Sequence, residues 1–234
     1  MRPFVTALIA LVAGFAGAAA WDFSGLGARL GTDSTRAALM ADPEMLRDAS
    51  LELQRRDTVA RIEPIRSELE TPFPGAVLGN PNGSVTLVEF TDYACGYCRA
   101  SLPDVANLIE ANPDLRVVIR EYPILSAGSV DAARMALAAA EQGKFAEFHQ
   151  AMFAAESLSA ANIEAAARAS GMDVDRAQRA IDMGMFDAQM ENNVFLARNL
   201  GVSGTPAWVV GDQVLSGAVG PDVIGAAIAE ARDS

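Results

Sequence analysis

The chain has two cysteines, one histidine and one lysine among 234 residues. A structural zinc site needs four ligands. With no third cysteine and a single His149, zinc would have to draw its ligands from more than one subunit. Positive charge is scarce too: the net charge of −12 argues against nucleic acid, or an anionic membrane, as the main partner. The basic residues are nearly all arginine, Lys144 being the sole lysine, and no function attaches to that. Beyond the N-terminus no run is apolar enough to cross a bilayer.

The first residues read as an address. Arg2 is the positive start, Phe4 to Phe15 is apolar, and Ala18-Ala19-Ala20 fits a small-residue cleavage site, so 1–20 is expected to be a secretory signal peptide. The apolar run is short for a membrane anchor, and no cysteine near residue 20 offers a lipid attachment point. Export would place the cysteines in an oxidising compartment, the periplasm. A little over two hundred residues remain, enough for one substantial core or for a domain plus an extension.

Both cysteines belong to one motif, Cys95-Gly96-Tyr97-Cys98. Val85 to Phe90 before it reads as a buried strand, and Arg99 to Ala111 after it as a helix. Residues three apart in the first helical turn share a face, so the two sulfurs can close a small disulfide ring. The unpaired N–H groups and positive dipole at a helix start favour a thiolate, the attacking species. Cys95 is therefore expected to be an exposed, low-pKa nucleophile, and Cys98, deeper by a turn, the resolving thiol. A structural disulfide and a two-thiolate Cu(I) site are the alternatives, since soft thiolates select Cu(I).

Along the rest of the chain, 21–75 is expected to form an N-terminal helical arm. Trp21 to Thr32 is rich in glycine and small residues; from Ser34 to Leu69 the pattern is helical. Leu39, Leu46, Ala49 and Leu53 make one apolar stripe; Val59, Ile62, Ile65 and Leu69 continue it in a shifted register. The stripe either pairs with copies of itself or packs back on its own domain, and imperfect heptads leave dimer and trimer open. Pro43 after Asp42 opens a helix, Pro64 kinks or ends one, and Thr71-Pro72-Phe73-Pro74-Gly75 is a linker. Asn80-Pro81-Asn82-Gly83 is a turn, and Leu115 to Tyr122 is a second β-rich run, completing a βαβ unit. Helical pieces follow near Asp131–Glu141, Lys144–Ala155, Ala160–Ser170, Val174–Asp182 and Phe186–Asn199. Ala207 to Val210 and Gln213 to Leu215 form a hairpin around Gly211-Asp212, and Pro221 opens the last helix. This order predicts an α/β, thioredoxin-like domain over 76–234 with a helical insertion at about 126–203.

The runs Val88 to Cys98, Arg120-Glu121-Tyr122-Pro123-Ile124-Leu125 and Gly201 to Trp208 resemble the DsbA-like thioredoxin-fold oxidoreductases of the bacterial envelope, closest to the ScsC-like group. The resemblance implies that Cys95 is the nucleophile, Cys98 the resolving thiol and Pro206 a cis-proline facing them. Thr205 would then offer its backbone to an extended substrate, with Gly96 and Tyr97 also in the substrate surface. Glu89 matches a buried acid able to exchange a proton with Cys98. Asp92 and Tyr93 are weaker candidates, read as capping and packing, and His149 as packing. Strong oxidases of this family have a histidine between the cysteines; Gly96-Tyr97 offers no cation, which implies a less oxidising disulfide. Thr205 before the proline resembles the isomerases.

The resulting expectation is a periplasmic disulfide isomerase or reductase acting on secreted proteins. It calls for no cofactor, is recharged by a membrane partner of DsbD or DsbB type, and assembles as a homo-oligomer through the arm. A net oxidase, a Cu(I)-binding protein on the same thiols and a thiol-independent chaperone using the arm are its rivals.

Overall fold

The structure is a computed structural model that describes residues 35–233. The expected leader, and the extension up to residue 34, lie outside the described residues. The chain divides into two units that part after Gln54. In the first, the backbone is helical at 35–41, and α1 (Glu44–Ile62) then starts with Asp42 Oδ1 accepting the Glu44 N–H at 3.2 Å. Leu46, Leu51 and Leu53 are exposed.

The second unit holds the rest of α1, a 3-10 turn (Glu63–Ile65) and α2 (Arg66–Glu70). Pro64 breaks the helix because it lacks an N–H and its ring clashes with the preceding turn. Ile62 and Leu69 are fully buried, in one cluster with Val88, Phe90 and Val118. The sequence placed a boundary near residue 75, whereas the compact unit already begins at Arg55, because the second register of the stripe covers a sheet face. In the linker, Gly75 turns with φ +87° against the Ala140 backbone, where a Cβ would collide.

Five strands form one sheet: β1 (Val77–Gly79), β2 (Val85–Thr91), β3 (Leu115–Glu121), β4 (Ala207–Val210) and β5 (Gln213–Ser216), in the order β1-β3-β2-β4-β5. β2 and β3 are parallel and the other pairs antiparallel. The short edge strand β1 was not expected from the sequence. α3 (Gly96–Ala111) connects β2 to β3.

Between β3 and β4 run α4 (Ala127–Glu141), α5 (Phe145–Ala154), α6 (Ala160–Ala169), α7 (Val174–Asp182) and α8 (Asp187–Leu200). α4 begins four residues before the expected Asp131, because the Ser126 hydroxyl caps the Ser129 N–H at 3.0 Å. Gly201 ends α8 with φ 73°, as a C-terminal glycine should. α9 (Pro221–Arg232) closes the chain.

The sheet is buried on both sides. Leu87, Val117, Ile119 and Trp208 pack with α3, α9 and the helical block; Val88, Phe90, Val118 and Val209 pack with α2, α8 and the end of α1. Strand alternation sorts these two sets, so alternate residues of β2 point at the helix that carries the cysteines.

Candidate active site

Cys95 is the N-cap of α3, with extended φ −80° and ψ 114°, and its sulfur accepts the Cys98 N–H at 3.4 Å. The Cys95 thiol also points to the Thr205 carbonyl, 3.2 Å away, at the mouth of β4. The Thr205–Pro206 peptide is cis. Thus residues 110 positions apart in sequence meet at one sulfur. Both cysteines are free thiols.

One expectation needs correction. Cys95 is 5% exposed, so it is not an open thiol; Cys98 is 1% exposed. Thr205 and the turn of α3 close over the Cys95 sulfur. Exposure lies instead on its flanks, at Ala94, Gly96 and Tyr97, with Tyr97 70% exposed. An added Cβ at Gly96 would meet nothing, so the surface beside Cys95 is open on that side.

Beneath α3 the chemistry is dry. Burial pushes the Cys98 thiol up to about 12, and the neighbouring Cys95 and Glu89 push the same way, against the Asp92 backbone and Thr91. Glu89 is 2% exposed on β2, and burial raises its carboxyl to about 8, with Thr91 pulling the other way. Asp92, also buried, organises the site mouth: Oδ1 accepts the Ala94 N–H at 2.8 Å, and Oδ2 the N–H groups of Ile124 and Leu125 at 2.8 and 2.9 Å. It therefore ties the loop before Cys95 to the segment after β3.

Sequence reasoning missed a buried cluster. Tyr93, from the loop before Cys95, donates to Glu121 Oε1 of β3 at 3.1 Å, and its hydroxyl lies 3.0 Å from His149 Nδ1 on α5. Burial raises Glu121 and Tyr93 and lowers His149 to about 4. His149, expected to pack in the core or at the surface, is buried and a hydrogen-bonded member of the core. The available signal was weak: Glu121 lies two residues after Ile119 on the same strand, so it shares the face of Ile119 and is buried with it.

Among the described residues no cluster of three or more His, Cys, Asp or Glu could hold a metal ion. Nor is any described helix long and apolar enough to cross a membrane.

A family model described as thioredoxin matches residues 73–230. A thioredoxin-like oxidoreductase of Silicibacter pomeroyi is 41% identical, superposes with a TM-score of 0.65, and is matched over 68% of this chain and 92% of its own. The thiol-disulfide exchange protein α-DsbA2 of Wolbachia pipientis is 29% identical with a TM-score of 0.69, over 76% of this chain and 97% of that one. The catalytic domain of Proteus mirabilis ScsC is 27% identical with a TM-score of 0.64, over 75% and 99%. Among curated proteins, the Na(+)/H(+) antiporter NhaA 3 of Salinispora tropica is 30% identical over 158 residues, so the match spans 66% of this chain but only 24% of that protein. With the family model running from the linker into α9 and a relative matched over nearly its whole length, the chain belongs to the thioredoxin family, as a DsbA-like thiol–disulfide oxidoreductase of the group that includes ScsC.

Proposed function

We propose that this chain is a periplasmic disulfide isomerase and reductase of secreted proteins. One observation carries the reading: the Cys98 thiol is buried and pushed up to about 12, while Cys95, though covered by Thr205, caps the helix start beside the exposed Gly96 and Tyr97. A resolving thiol that ionises with difficulty attacks slowly. A substrate bound to Cys95 then has time to rearrange its own disulfides before Cys98 releases it. Export by the leader at 1–20 supports the compartment.

In this reading Cys95 attacks a wrong substrate disulfide and Cys98 resolves the mixed disulfide. Glu89 takes the Cys98 proton, since its carboxyl near 8 is matched to that task at neutral pH. Thr205 and Pro206 border the nucleophile on one side and Gly96 and Tyr97 on the other, and together they make the substrate surface. A membrane reductase of DsbD type keeps the pair reduced, and the exposed leucines of α1 join copies of the chain. The chain spans about a quarter of the antiporters it matches, and no ion transport is assigned to it.

The test is reactivation of scrambled ribonuclease by the pre-reduced protein lacking its leader. Recovery of ribonuclease activity is the expected result. Failure, together with rapid oxidation of a reduced peptide by the disulfide form and a DsbB-type partner, would assign the chain as a net oxidase. Tight Cu(I) binding to the reduced pair without either activity would assign it as a copper protein.

A further inference from the structure

β2 and β3 bring a second acid onto the sheet face that α3 covers. Glu89 and Thr91 alternate onto the β2 face that meets α3, and Glu121 is the register partner of Thr91 on the adjacent parallel strand. All three are buried. Two of their oxygens, Thr91 Oγ1 and Glu121 Oε2, have no hydrogen-bond partner. An orphaned buried oxygen is costly, and here two stand at register partners on neighbouring strands.

The rest of the cluster fixes where the Glu121 proton sits. Tyr93 has one hydroxyl proton, and it goes to Glu121 Oε1 at 3.1 Å. Tyr93 Oη can then only accept at its other contact, so His149 donates through Nδ1–H at 3.0 Å. The bare Nε2 that remains is the nitrogen without a partner, packed between Phe145 and Phe153. Oε1 being occupied as an acceptor, the acid proton of Glu121 belongs on Oε2. Burial raises the Glu121 carboxyl, and the charges of Asp92 and Glu89 push the same way, against the Tyr93 hydrogen bond. Arg120, the next residue back on β3, turns to carbonyls of Leu69 and Thr71 at 2.9 and 2.6 Å. α8 contributes Asn193, which donates to the Glu121 backbone carbonyl at 3.0 Å, and Cys98 of α3 acts on Thr91 and Glu89 instead.

We propose that Glu121 is a second buried acid of the thiol site: its Oε2–H donates to the Thr91 hydroxyl, which donates in turn to whichever of Glu89 and Cys98 carries the negative charge. Thr91 already favours the ionised form of both. The inference rests on the reading of Cys98 as resolving thiol and Glu89 as its proton acceptor. In the resolving step the Cys98 proton passes to a Glu89 carboxylate oxygen. The Cys98–Cys95 bond forms as the bond from Cys95 to the substrate sulfur breaks, and that sulfur leaves as a thiolate. The Thr91 hydroxyl swings from Glu89 to Cys98 as the charge moves, and Glu121 keeps its proton throughout. Thr91, Glu121, Tyr93 and His149 are positioning residues.

The test uses an aryl disulfide reagent that releases one coloured thiolate when Cys95 attacks and a second when Cys98 resolves. In Thr91→Val the first release keeps its rate and the second slows by about tenfold, less than the roughly 10²–10⁴-fold of a group that itself transfers the proton, since Thr91 only positions the charge. Thr91→Ser restores it. Glu121→Gln, whose amide still donates, keeps the wild-type second rate, and Glu121→Met loses it. A merely structural Thr91 would behave differently, since deleting an orphaned hydroxyl should leave stability unchanged or improved and the second release untouched. In the wild-type protein, nitrogen NMR of the sole histidine should show the Nδ1–H tautomer in the reduced state. A second release at wild-type rate in Thr91→Val, or an Nε2–H tautomer, overturns the proposal. A wild-type protein that released neither thiolate would overturn the thiol-site reading itself, and the proposal with it.

Discussion

Cys95 and Cys98 lie one helical turn apart, yet their surroundings separate their chemistry. Cys95 caps the helix and borders the open surface at Gly96; Cys98 is sealed above Glu89 and pushed up to about 12. Limited treatment with iodoacetamide should therefore label Cys95, from the open Gly96 side, and spare Cys98 in the reduced protein. Peptide mass spectrometry reads the ratio, and equal labelling would refute the assigned order. Replacing Cys98 with serine should leave substrates trapped on Cys95 as reductant-sensitive adducts, absent when Cys95 is the residue replaced. The motif made these two residues legible without any structure, because two thiols at a strand–helix junction allow few other uses. The coverage of Cys95 by Thr205 was not legible, since it depends on a contact between residues 110 positions apart. The same holds for Tyr93, Glu121 and His149: each comes from a different segment, and only the sheet register and the seat of α5 bring them together.

Among the elements, the regular helices followed from apolar spacing and caps. Val174–Asp182 appears as expected, with Asp173 Oδ1 accepting the Arg176 N–H at 2.9 Å. β1 did not, since its three residues carry too little pattern to register as a strand, and its pairing with β3 is what defines it. The helical extension divides by burial rather than at the proline-rich linker. Its first stripe leaves Leu46 and Leu53 exposed, while its second buries Ile62 and Leu69 against the sheet. Arg120 ties the end of α2 to β3 through the carbonyls of Glu68, Leu69 and Thr71. Removing the chain through Gln54 should therefore leave a folded, thiol-active body. Removal through Gly75 should cost several kcal/mol, because burying each large aliphatic side chain contributes about 1.5–3 kcal/mol and the Arg120 guanidinium would lose its acceptors. Thermal melts of the two truncations check this; equal melting temperatures would place the true boundary at the linker after all.

For the molecule as a whole, the buried titratable groups set how stability responds to pH. Glu89 is raised from 4.5 to about 8, and burial raises Glu121 as well, so the folded state holds both protons where the unfolded chain has released them. Each of these acids leaves stability intact below about pH 4.5 and lowers it as pH rises toward its folded value. His149 acts in the opposite sense. It is lowered from 6.5 to about 4, so the unfolded chain binds its proton first and stability falls as pH drops from 6.5 through 4. Between about 4.5 and 6.5 the histidine offsets one of the two acids; above 6.5 nothing offsets them, and repulsion within a chain of net charge −12 adds to the loss. Stability should thus be greatest on the acid side of neutrality and decline more steeply above about pH 6.5 than below it. Glu89→Gln carries no proton to lose, and should flatten the decline up to about pH 8 by a few kcal/mol, a pKa unit being about 1.4 kcal/mol. Urea unfolding midpoints across this range give the curve directly. A wild-type midpoint that rises from pH 5 to 8 would show that Glu89 and Glu121 are charged in the folded protein, and the dry site beneath Cys98 would then be solvated.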